Sequence, residues 1–244
     1  MPGTDRLHRP PPTALVVIPG TGSDADHASR SFGVAAADLG IELIALEPTA
    51  SLIDGHRLGL ERAARAHRSI LVGGVSIGAA IALDWAIGDA GRRCSGVLAA
   101  LPAWSGEAHT APAAASAVAT AEALERDGLE ATIAAMTSSS PGWLAAELTR
   151  SWRRLHPGLA AALREAAGYR APVPAEIGGL TVPLAIVAAP PDDPVHPIAV
   201  AREWHAAAPR SALAEVALDD WGRNPGLLGA GTRDGILGLM DPQT

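Results

Sequence analysis

The sequence of 244 residues contains very little cysteine, no lysine and no long apolar run. Cys94 is the single cysteine, which excludes an internal disulfide and a cysteine-based metal cluster and is typical of a reducing compartment. No apolar run approaches the roughly 20 residues that a membrane-spanning helix needs. Residues 1–12 contain arginines and prolines but lack the apolar segment of a secretory signal, so we expect a flexible tail and a cytoplasmic protein.

Positive charge is also scarce, because 19 arginines are outnumbered by 26 acidic residues and the formal net charge is −7 at pH 7. Nucleic acids and anionic membrane surfaces repel such a chain, so we expect neither as a partner. A small neutral or apolar molecule fits this charge better. The chain also has only one tyrosine and one phenylalanine, which we attribute to coding bias and not to function.

Short apolar runs alternate with segments of helical character in the first part of the chain. Strands are predicted at 14–18, 41–46, 69–73 and 96–101, and helices at about 25–39, 53–67 and 77–88. A short strand that is apolar throughout is typical of a strand buried on both faces of a parallel sheet. The alternation therefore predicts a doubly wound, mostly parallel α/β sheet.

This alternation is interrupted in the middle of the chain. From about 104 to 179 the sequence predicts consecutive helices separated by prolines, and we interpret this region as a helical lid inserted into the domain. The sheet then resumes with strands predicted at 182–188 and 213–218 and helices at about 198–208 and 226–240. We therefore predict a single α/β domain over 1–244, with its core at about 13–103 and 180–240.

The predicted lid contains two features that could belong to a binding site. Trp143 and Trp152 could line a substrate pocket, although packing between helices is the favoured interpretation. Arg150, Arg153 and Arg154 form a basic cluster that could bind a carboxylate. A solvated helix face is the favoured interpretation of that cluster.

The most informative stretch joins the strand at 69–73 to the following helix. Residues 74–78 read G-x-S-x-G, a pattern in which the serine occupies a strained turn and the glycines leave room for neighbouring backbone. Such a turn exposes the hydroxyl of Ser76 at a helix N-terminus, where free N–H groups favour developing negative charge. The strand before it and the helix after it therefore predict a nucleophilic serine.

The loop after the first strand allows a second interpretation. Residues 20–25 match G-x-G-x-x-A, and Glu47 follows at about the twenty-residue spacing of a dinucleotide-binding site. Asp24 and Asp26 would, however, repel a pyrophosphate at this helix N-terminus. Dinucleotide binding also leaves the serine turn unexplained, and we regard it as the minor alternative.

Together, these motifs resemble those of the α/β-hydrolase family, and the resemblance covers essentially the whole chain from 14 to 240. It implies that Ser76 is the nucleophile and that the backbone N–H of Ile77 is one donor of the oxyanion hole. Residues 19–22, Pro-Gly-Thr-Gly, stand where the family commonly has His-Gly-x-Gly, which implies the N–H of Thr21 as the second donor. The chemistry implied by the family uses no cofactor and no metal.

The catalytic acid of the family also has a counterpart. Residues 193–197 follow the penultimate predicted strand and resemble the acid loop D-x-x-x-P, which implies Asp193 as the acid and Asp192 as the fallback. An Asx turn before Pro194 is the structural alternative for both aspartates.

The general base of the family, a histidine shortly after the last strand, has no counterpart. Residues 218–225 occupy that window, and Arg223 stands about where the histidine should be. An arginine stays protonated at neutral pH and cannot accept the serine proton. The ordinary triad is therefore incomplete.

Three histidines lie near the carboxyl ends of predicted strands, where the site of an α/β sheet is expected: His27, His109 and His196. We predict His196 as the base because it shares a loop with Asp193, although this closeness could prevent it from reaching Ser76. The remaining histidines are expected to be solvated in the tail or on helices, or to lie deep in the lid: His8, His56, His67, His205 and His156.

The sequence thus predicts a serine hydrolase that cleaves a small ester, thioester or amide through Ser76. The main alternative is a catalytically degenerate protein of the same fold, which binds a small apolar ligand or a partner.

Overall fold

The computed structural model describes residues 10–88, 92–191 and 193–240. Its strands are β1 (Ala14–Ile18), β2 (Glu42–Ala45), β3 (Ile70–Val75), β4 (Cys94–Ala100), β5 (Leu184–Ala188) and β6 (Ser211–Glu215). They form one sheet in the order β2-β1-β3-β4-β5-β6, and each neighbouring pair is parallel. The predicted doubly wound parallel sheet is confirmed.

Helices connect these strands. They are α1 (Ala25–Leu39), α2 (Leu52–Ala66), α3 (Ile77–Ile87), α4 (Pro112–Asp127), α5 (Leu129–Ser139), α6 (Gly142–Leu155), α7 (Leu159–Ala167), α8 (Pro174–Ile177), α9 (Ile198–Ala207), α10 (Leu218–Arg223) and α11 (Gly226–Met240). In the part of the chain that the structure describes, no helix combines the length and the apolar character needed to cross a membrane.

Two apolar cores lie on opposite faces of the sheet. Val16 of β1 packs into a core shared with α2, α3 and α9, whereas its neighbours Leu15 and Val17 pack into a core shared with α1 and α11. Successive side chains of a strand point to opposite faces, so both sets of side chains are buried. This arrangement explains why β1 is apolar throughout.

The chain between β4 and β5 is helical, and we call α4, α5, α6 and α7 the cap helices. They share a small apolar core of their own that includes Ile133, Trp152 and Leu163. The only pairing in this region, among the described residues, is an isolated antiparallel bridge between Gly106 and Ala171. The predicted succession of helices is therefore present. It follows β4, which is the neighbour of β3 in the sheet.

His56 on α2 is buried, and its prediction as a solvated residue is wrong. It lies on the same face of α2 as Leu52, Leu60 and Ala63, and only 1% of its surface is exposed. The spacing of these residues marks the buried face of an amphipathic helix. Burial disfavours the charged imidazole and lowers the pKa of His56 to about 4.

We expect His56 to make the fold less stable in mild acid. An unfolded histidine has a pKa near 6.5, so between about pH 6.5 and pH 4 the unfolded chain binds a proton that the folded chain does not. Burial of neutral His56 therefore has no cost to the free energy of unfolding above the pKa of the unfolded state. As the pH falls towards the pKa of the folded state, the free energy of unfolding decreases, and at pH 5 the loss is about 2 kcal/mol.

Urea unfolding at pH 7 and pH 5 measures this loss. His56→Leu should reduce the difference in unfolding free energy between the two pH values by about 2 kcal/mol. His205→Leu is the control, because His205 is exposed on α9. An equal pH dependence in the wild type and both variants would contradict the prediction.

Candidate functional site

Ser76 occupies the sharp turn between β3 and α3, at the carboxyl end of an interior strand. Its φ of 57° and ψ of −118° lie in a region that residues with a side chain rarely adopt. The N–H of Ser76 donates to the C=O of Ala100 (2.9 Å), and its C=O accepts hydrogen bonds from the N–H groups of Ala79 and Ala80. These bonds on both sides hold the strained backbone in place.

The glycines of the G-x-S-x-G pattern are required by backbone that passes close to them. A Cβ on Gly74 would lie 2.6 Å from the carbonyl oxygen of Ile18. A Cβ on Gly78 would lie 2.7 Å from the carbonyl oxygen of Pro19 and even closer to the carbonyl oxygen of Ile18. Real Cβ atoms essentially never approach backbone oxygens so closely. The end of β1 therefore fits against the turn only because both positions lack a side chain.

We expect Gly78→Ala to destabilise the protein by about 3 kcal/mol or more, because a rigid backbone oxygen cannot move away cheaply. Thermal and urea unfolding would measure the loss. Gly33→Ala is the matched control, since Gly33 lies in α1 and a Cβ there meets nothing within 4 Å. That control should be neutral or stabilising by up to about 1 kcal/mol, and similar losses in the two variants would contradict the argument.

Ser76 lines a cavity of about 720 Å³. The loop after β1 and the loop after β5 form part of its wall, and the cap helices form most of the rest. Trp143 and Trp152, for which packing was the favoured interpretation, both line it. Trp152 also packs in the core of the cap helices, and Trp143 packs edge to face against Trp221 with ring centroids 4.6 Å apart.

Asp193 and His196 form a hydrogen-bonded pair in the loop after β5, and both line this cavity. Nδ1 of His196 lies 3.0 Å from Oδ2 of Asp193. Oδ1 of Asp193 accepts hydrogen bonds from the N–H groups of Val195 (2.7 Å) and His196 (3.1 Å). The Asx turn weighed as an alternative is therefore present together with the acid–histidine pair, and the same carboxylate makes both.

The pKa of Asp193 lies below its ordinary value. Burial by itself would raise it, but the hydrogen bonds from the ring and backbone of His196 and from the N–H of Val195 favour the charged carboxylate. Asp193 is thus ionised at neutral pH and holds the ring of His196 through Nδ1. The fallback acid, Asp192, lies outside the described residues.

Thr21 lines the same cavity as Ser76, whereas Ile77, which directly follows Ser76 in the chain, is not among the residues that line it. Thr21 lines the cavity from a turn in which the N–H of Ser23 donates to the C=O of Gly20 (3.0 Å), and Ile77 is the first residue of α3. Among the described residues, neither backbone N–H has a hydrogen-bond partner. The first N–H groups of a helix have no partner within it, so the N–H of Ile77 is free to bind an anion.

The other candidate bases differ in position. His109 is exposed in a short 3-10 turn and does not line the cavity. His27 on α1 does line it, and only 8% of its surface is exposed. Burial lowers the pKa of His27, and the nearby carboxylate of Glu147 offsets part of that effect. Nδ1 of His27 has no hydrogen-bond partner among the described residues, so nothing orients its ring as Asp193 orients that of His196.

The segment expected to carry the family's histidine forms the short helix α10. Arg223 has 73% of its side chain exposed and pairs with Asp219. The residue of this segment that lines the cavity is Trp221. Sequence reasoning missed both the helix and this tryptophan, since six residues are too few to show a helical period.

The basic cluster of α6 is tied to acidic side chains. Arg150, like Arg153 and Arg154, is exposed, as the interpretation of a solvated face requires, but it also makes two hydrogen bonds to the wholly buried Asp24. Arg153 pairs with Glu130, and Arg154 pairs with Glu47. None of the three arginines lines the cavity.

The same contacts argue against dinucleotide binding. Asp24 caps α1 by accepting a hydrogen bond from the N–H of His27, and Glu47 accepts one from the N–H of Ala25 (3.1 Å). Carboxylates of the chain therefore occupy the N-terminus that a pyrophosphate would need. Among the residues that the structure describes, no group of three or more histidine, cysteine or acidic side chains could hold a metal ion.

Neither a protein-family model nor a curated protein matches this chain. Solved structures do match it, at low identity. An esterase from Exiguobacterium antarcticum is 13% identical with a TM-score of 0.69, over 91% of this chain and 92% of the esterase. The N-formylmaleamic acid deformylase of Pseudomonas putida is 22% identical with a TM-score of 0.63, over 91% of each chain.

A third similar structure is the enol-lactonase of Burkholderia xenovorans, which is 17% identical with a TM-score of 0.62 over 86% of this chain and 84% of the lactonase. Likeness at such identities reports on architecture and not on activity. The sheet order, the serine turn after β3 and these neighbours agree, and this chain has the α/β-hydrolase fold.

Proposed function

We propose that this protein is a serine hydrolase that cleaves a small ester, thioester or amide through Ser76. The observation that carries the proposal is that a strained serine turn and an acid–histidine pair line one cavity. Strained backbone conformations are costly and persist where the surrounding structure enforces them, often at active sites. The names of the structural neighbours, which include an esterase, a deformylase and an enol-lactonase, agree with this class of reaction.

In the proposed reaction, Oγ of Ser76 attacks the substrate carbonyl while Nε2 of His196 accepts the hydroxyl proton. The N–H groups of Thr21 and Ile77 stabilise the oxyanion, and His196 returns the proton to the leaving group. Water then hydrolyses the acyl-enzyme by the same route. Asp193 stays ionised throughout and fixes Nδ1 of His196 as the protonated nitrogen, so that Nε2 remains the basic one.

This proposal places the acid and the base in one loop. In the α/β-hydrolase family that the sequence resembles, the histidine follows the last strand. Here the spacing of three residues between Asp193 and His196 closes a turn in which the carboxylate accepts hydrogen bonds from two backbone N–H groups and pairs with the ring. A short, hydrogen-bonded loop is a rigid support for a base, as a preorganised site requires.

We further propose that the cap helices act as the lid predicted from the sequence. Together with the loops after β1 and β5, the cap helices surround the cavity that Ser76 lines. Only 8% of the surface of Ser76 is exposed. Apolar groups of α4, α5 and α6 make up much of the lining: Ala113, Ala117, Ala135, Met136, Leu144 and Leu148. Exclusion of water by such a cover strengthens the hydrogen bonds that stabilise an oxyanion.

The lining favours an uncharged substrate. Among the described residues that line the cavity there is no arginine, whereas Glu147 and Asp193 both contribute carboxylates. Glu147 is paired with Arg30 and Arg150, and Asp193 with His196, so a substrate carboxylate would find no unpaired cation in the described lining and would lose hydration at a cost. We therefore propose a neutral ester, thioester or amide with an apolar acyl group.

A panel of esters tests this function directly. The wild type should hydrolyse neutral aliphatic esters with a kcat/KM at least about 10-fold above that of half-esters of dicarboxylic acids of the same length. Matched pairs that differ only in the terminal carboxylate are the internal control. Equal rates for the two members of each pair would contradict the proposed neutral substrate, and an absence of turnover for every member would contradict hydrolysis.

One observation favours the alternative of a degenerate fold that binds without cleaving. Oγ of Ser76 has no hydrogen-bond partner among the described residues, so the serine and His196, which line the same cavity, are not hydrogen-bonded in this conformation. Catalytic hydrogen bonds are often long in the absence of substrate and form only in the complex. Labelling of Ser76 by a serine-directed organophosphorus probe separates the two functions, because a binding protein would not react.

A further inference from the structure

Three consecutive residues of the cap helix α6 contact the loop that follows β1. We call residues 19–24 the oxyanion loop, because it contains Thr21. Arg150, Ser151 and Trp152 all reach this loop, and each contacts a different part of it. A helix that only covered the substrate would have no need to bind this backbone.

Arg150 holds the end of the oxyanion loop. Its Nη1 donates to Oδ2 of Asp24 (2.6 Å) and its Nη2 donates to Oδ1 (2.8 Å), a bidentate pair with a wholly buried carboxylate. Arg150 also donates to Glu147 of its own helix (2.5 Å), and Glu147 pairs with Arg30 of α1. Bidentate arginine–carboxylate pairs fix geometry as well as charge.

Ser151 and Trp152 hold the middle of the loop. Oγ of Ser151, a residue with no exposed surface, donates to the carbonyl oxygen of Gly22 (2.7 Å). A Cβ on Gly22 would lie 3.0 Å from Nε1 of Trp152, so the indole packs directly against this residue. Gly22 has a φ of 72°, and the loop reverses direction where α6 contacts it.

The opposite side of the oxyanion loop lies against the serine turn. A Cβ on Gly20 would meet the carbonyl oxygen of Val75 at 3.5 Å and Cβ of Ser76 at 3.8 Å. The loop is therefore held between the serine turn on one side and α6 on the other. Thr21 lies between these two supports and lines the cavity.

We propose that α6 is a positioning element for the oxyanion hole, and that Arg150 and Ser151 are positioning residues that hold the N–H of Thr21 towards the reacting carbonyl. This inference rests on the proposed hydrolase function. An oxyanion donor stabilises the transition state only when it is held in place before the charge develops. A donor displaced by about 1 Å loses much of that effect, because the hydrogen bond weakens steeply with distance and angle.

Kinetics of Arg150→Met provide the main test. This variant keeps the length and apolar part of the side chain and removes both hydrogen bonds to Asp24. We expect kcat to fall by roughly 10- to 100-fold while KM changes by less than about twofold, since the lost interaction acts in the transition state. Arg150→Lys should fall between the wild type and Arg150→Met, because lysine keeps the charge and cannot make the bidentate pair.

Arg153→Met is the matched control. Arg153 lies in the same helix and also pairs with a glutamate, but its partner Glu130 belongs to the cap helix α5 and not to the oxyanion loop. The control should keep the wild-type kcat. An equal loss of kcat in Arg150→Met and Arg153→Met would overturn the proposal, as would a rise in KM with kcat unchanged.

Hydrogen exchange tests the holding of the loop without any turnover. Peptides that cover residues 19–24 should exchange faster in Arg150→Met and in Ser151→Ala than in the wild type or Arg153→Met. Unchanged exchange in both variants would overturn the proposal whatever the kinetics show. If these variants show faster exchange but the wild type hydrolyses no substrate, α6 still holds the oxyanion loop. That combination would refute only the proposed hydrolase function.

Discussion

Ser76→Ala should lower kcat for ester hydrolysis by about 10⁴-fold or more, which is the loss seen when an attacking serine is removed from a site whose other parts remain. The substitution deletes only Oγ and leaves the backbone bonds to Ala100 and Ala79 available. We therefore expect wild-type stability and unchanged affinity for non-reactive substrate analogues. Residual activity would come from the oxyanion donors alone.

Ser23→Ala is the matched control for this measurement. Ser23 is also buried, also lines the cavity, and its Oγ has no hydrogen-bond partner among the described residues. Ser23 lies in the oxyanion loop and not in the strained turn. Full activity in Ser23→Ala together with loss in Ser76→Ala would assign the nucleophile, and hydrolysis that survives Ser76→Ala would rule out the proposed mechanism.

Local sequence patterns were sufficient to predict the sheet and the serine turn. The turn depends on residues within a five-residue window, and its glycines are required by backbone that the same strands bring together. The helices predicted at 25–39 and 226–240 have the bounds of α1 and α11. The strand predicted at 213–218 is displaced, because β6 (Ser211–Glu215) lies at the edge of the sheet and is only partly buried, which weakens its apolar pattern.

Contacts between distant parts of the chain were not predictable from those patterns. The pairing of Arg150 with Asp24 joins residues that are 126 positions apart, and no local spacing marks it. The same is true of Trp221, which enters the cavity from α10 and packs against Trp143 of the cap. By contrast, the burial of His56 was readable from the apolar residues that flank it on one face of α2.

The pairing of Asp193 with His196 could be predicted from the sequence only in part. Its spacing of three residues is local, and both the turn and the shared loop were anticipated. Whether the loop reaches across to Ser76 depends on the arrangement of three loops at the carboxyl edge of the sheet. That arrangement follows from tertiary packing, so the sequence could rank the histidines without deciding between them.

Removal of His196 is the second large effect that we expect. His196→Gln should lower kcat by about 10³-fold, because the hydroxyl of Ser76 is a weak nucleophile unless a base accepts its proton. His27→Gln should change kcat by less than about threefold, although His27 lines the same cavity. Among the described residues, no group bonds Nδ1 of His27 to orient its ring, and burial lowers its pKa and makes it a weaker base.

Asp193→Asn separates the two roles of this carboxylate. An asparagine can still accept the backbone hydrogen bonds of Val195 and His196 through Oδ1, so the turn should survive. Its amide would, however, favour the wrong tautomer of His196, and kcat should fall by about 10³-fold with little loss of stability.

The double variant with His196→Gln should be no slower than the slower single variant, because residues that act as one unit are not additive. Loss of activity in His27→Gln with full activity in His196→Gln would instead assign the base to His27 of α1.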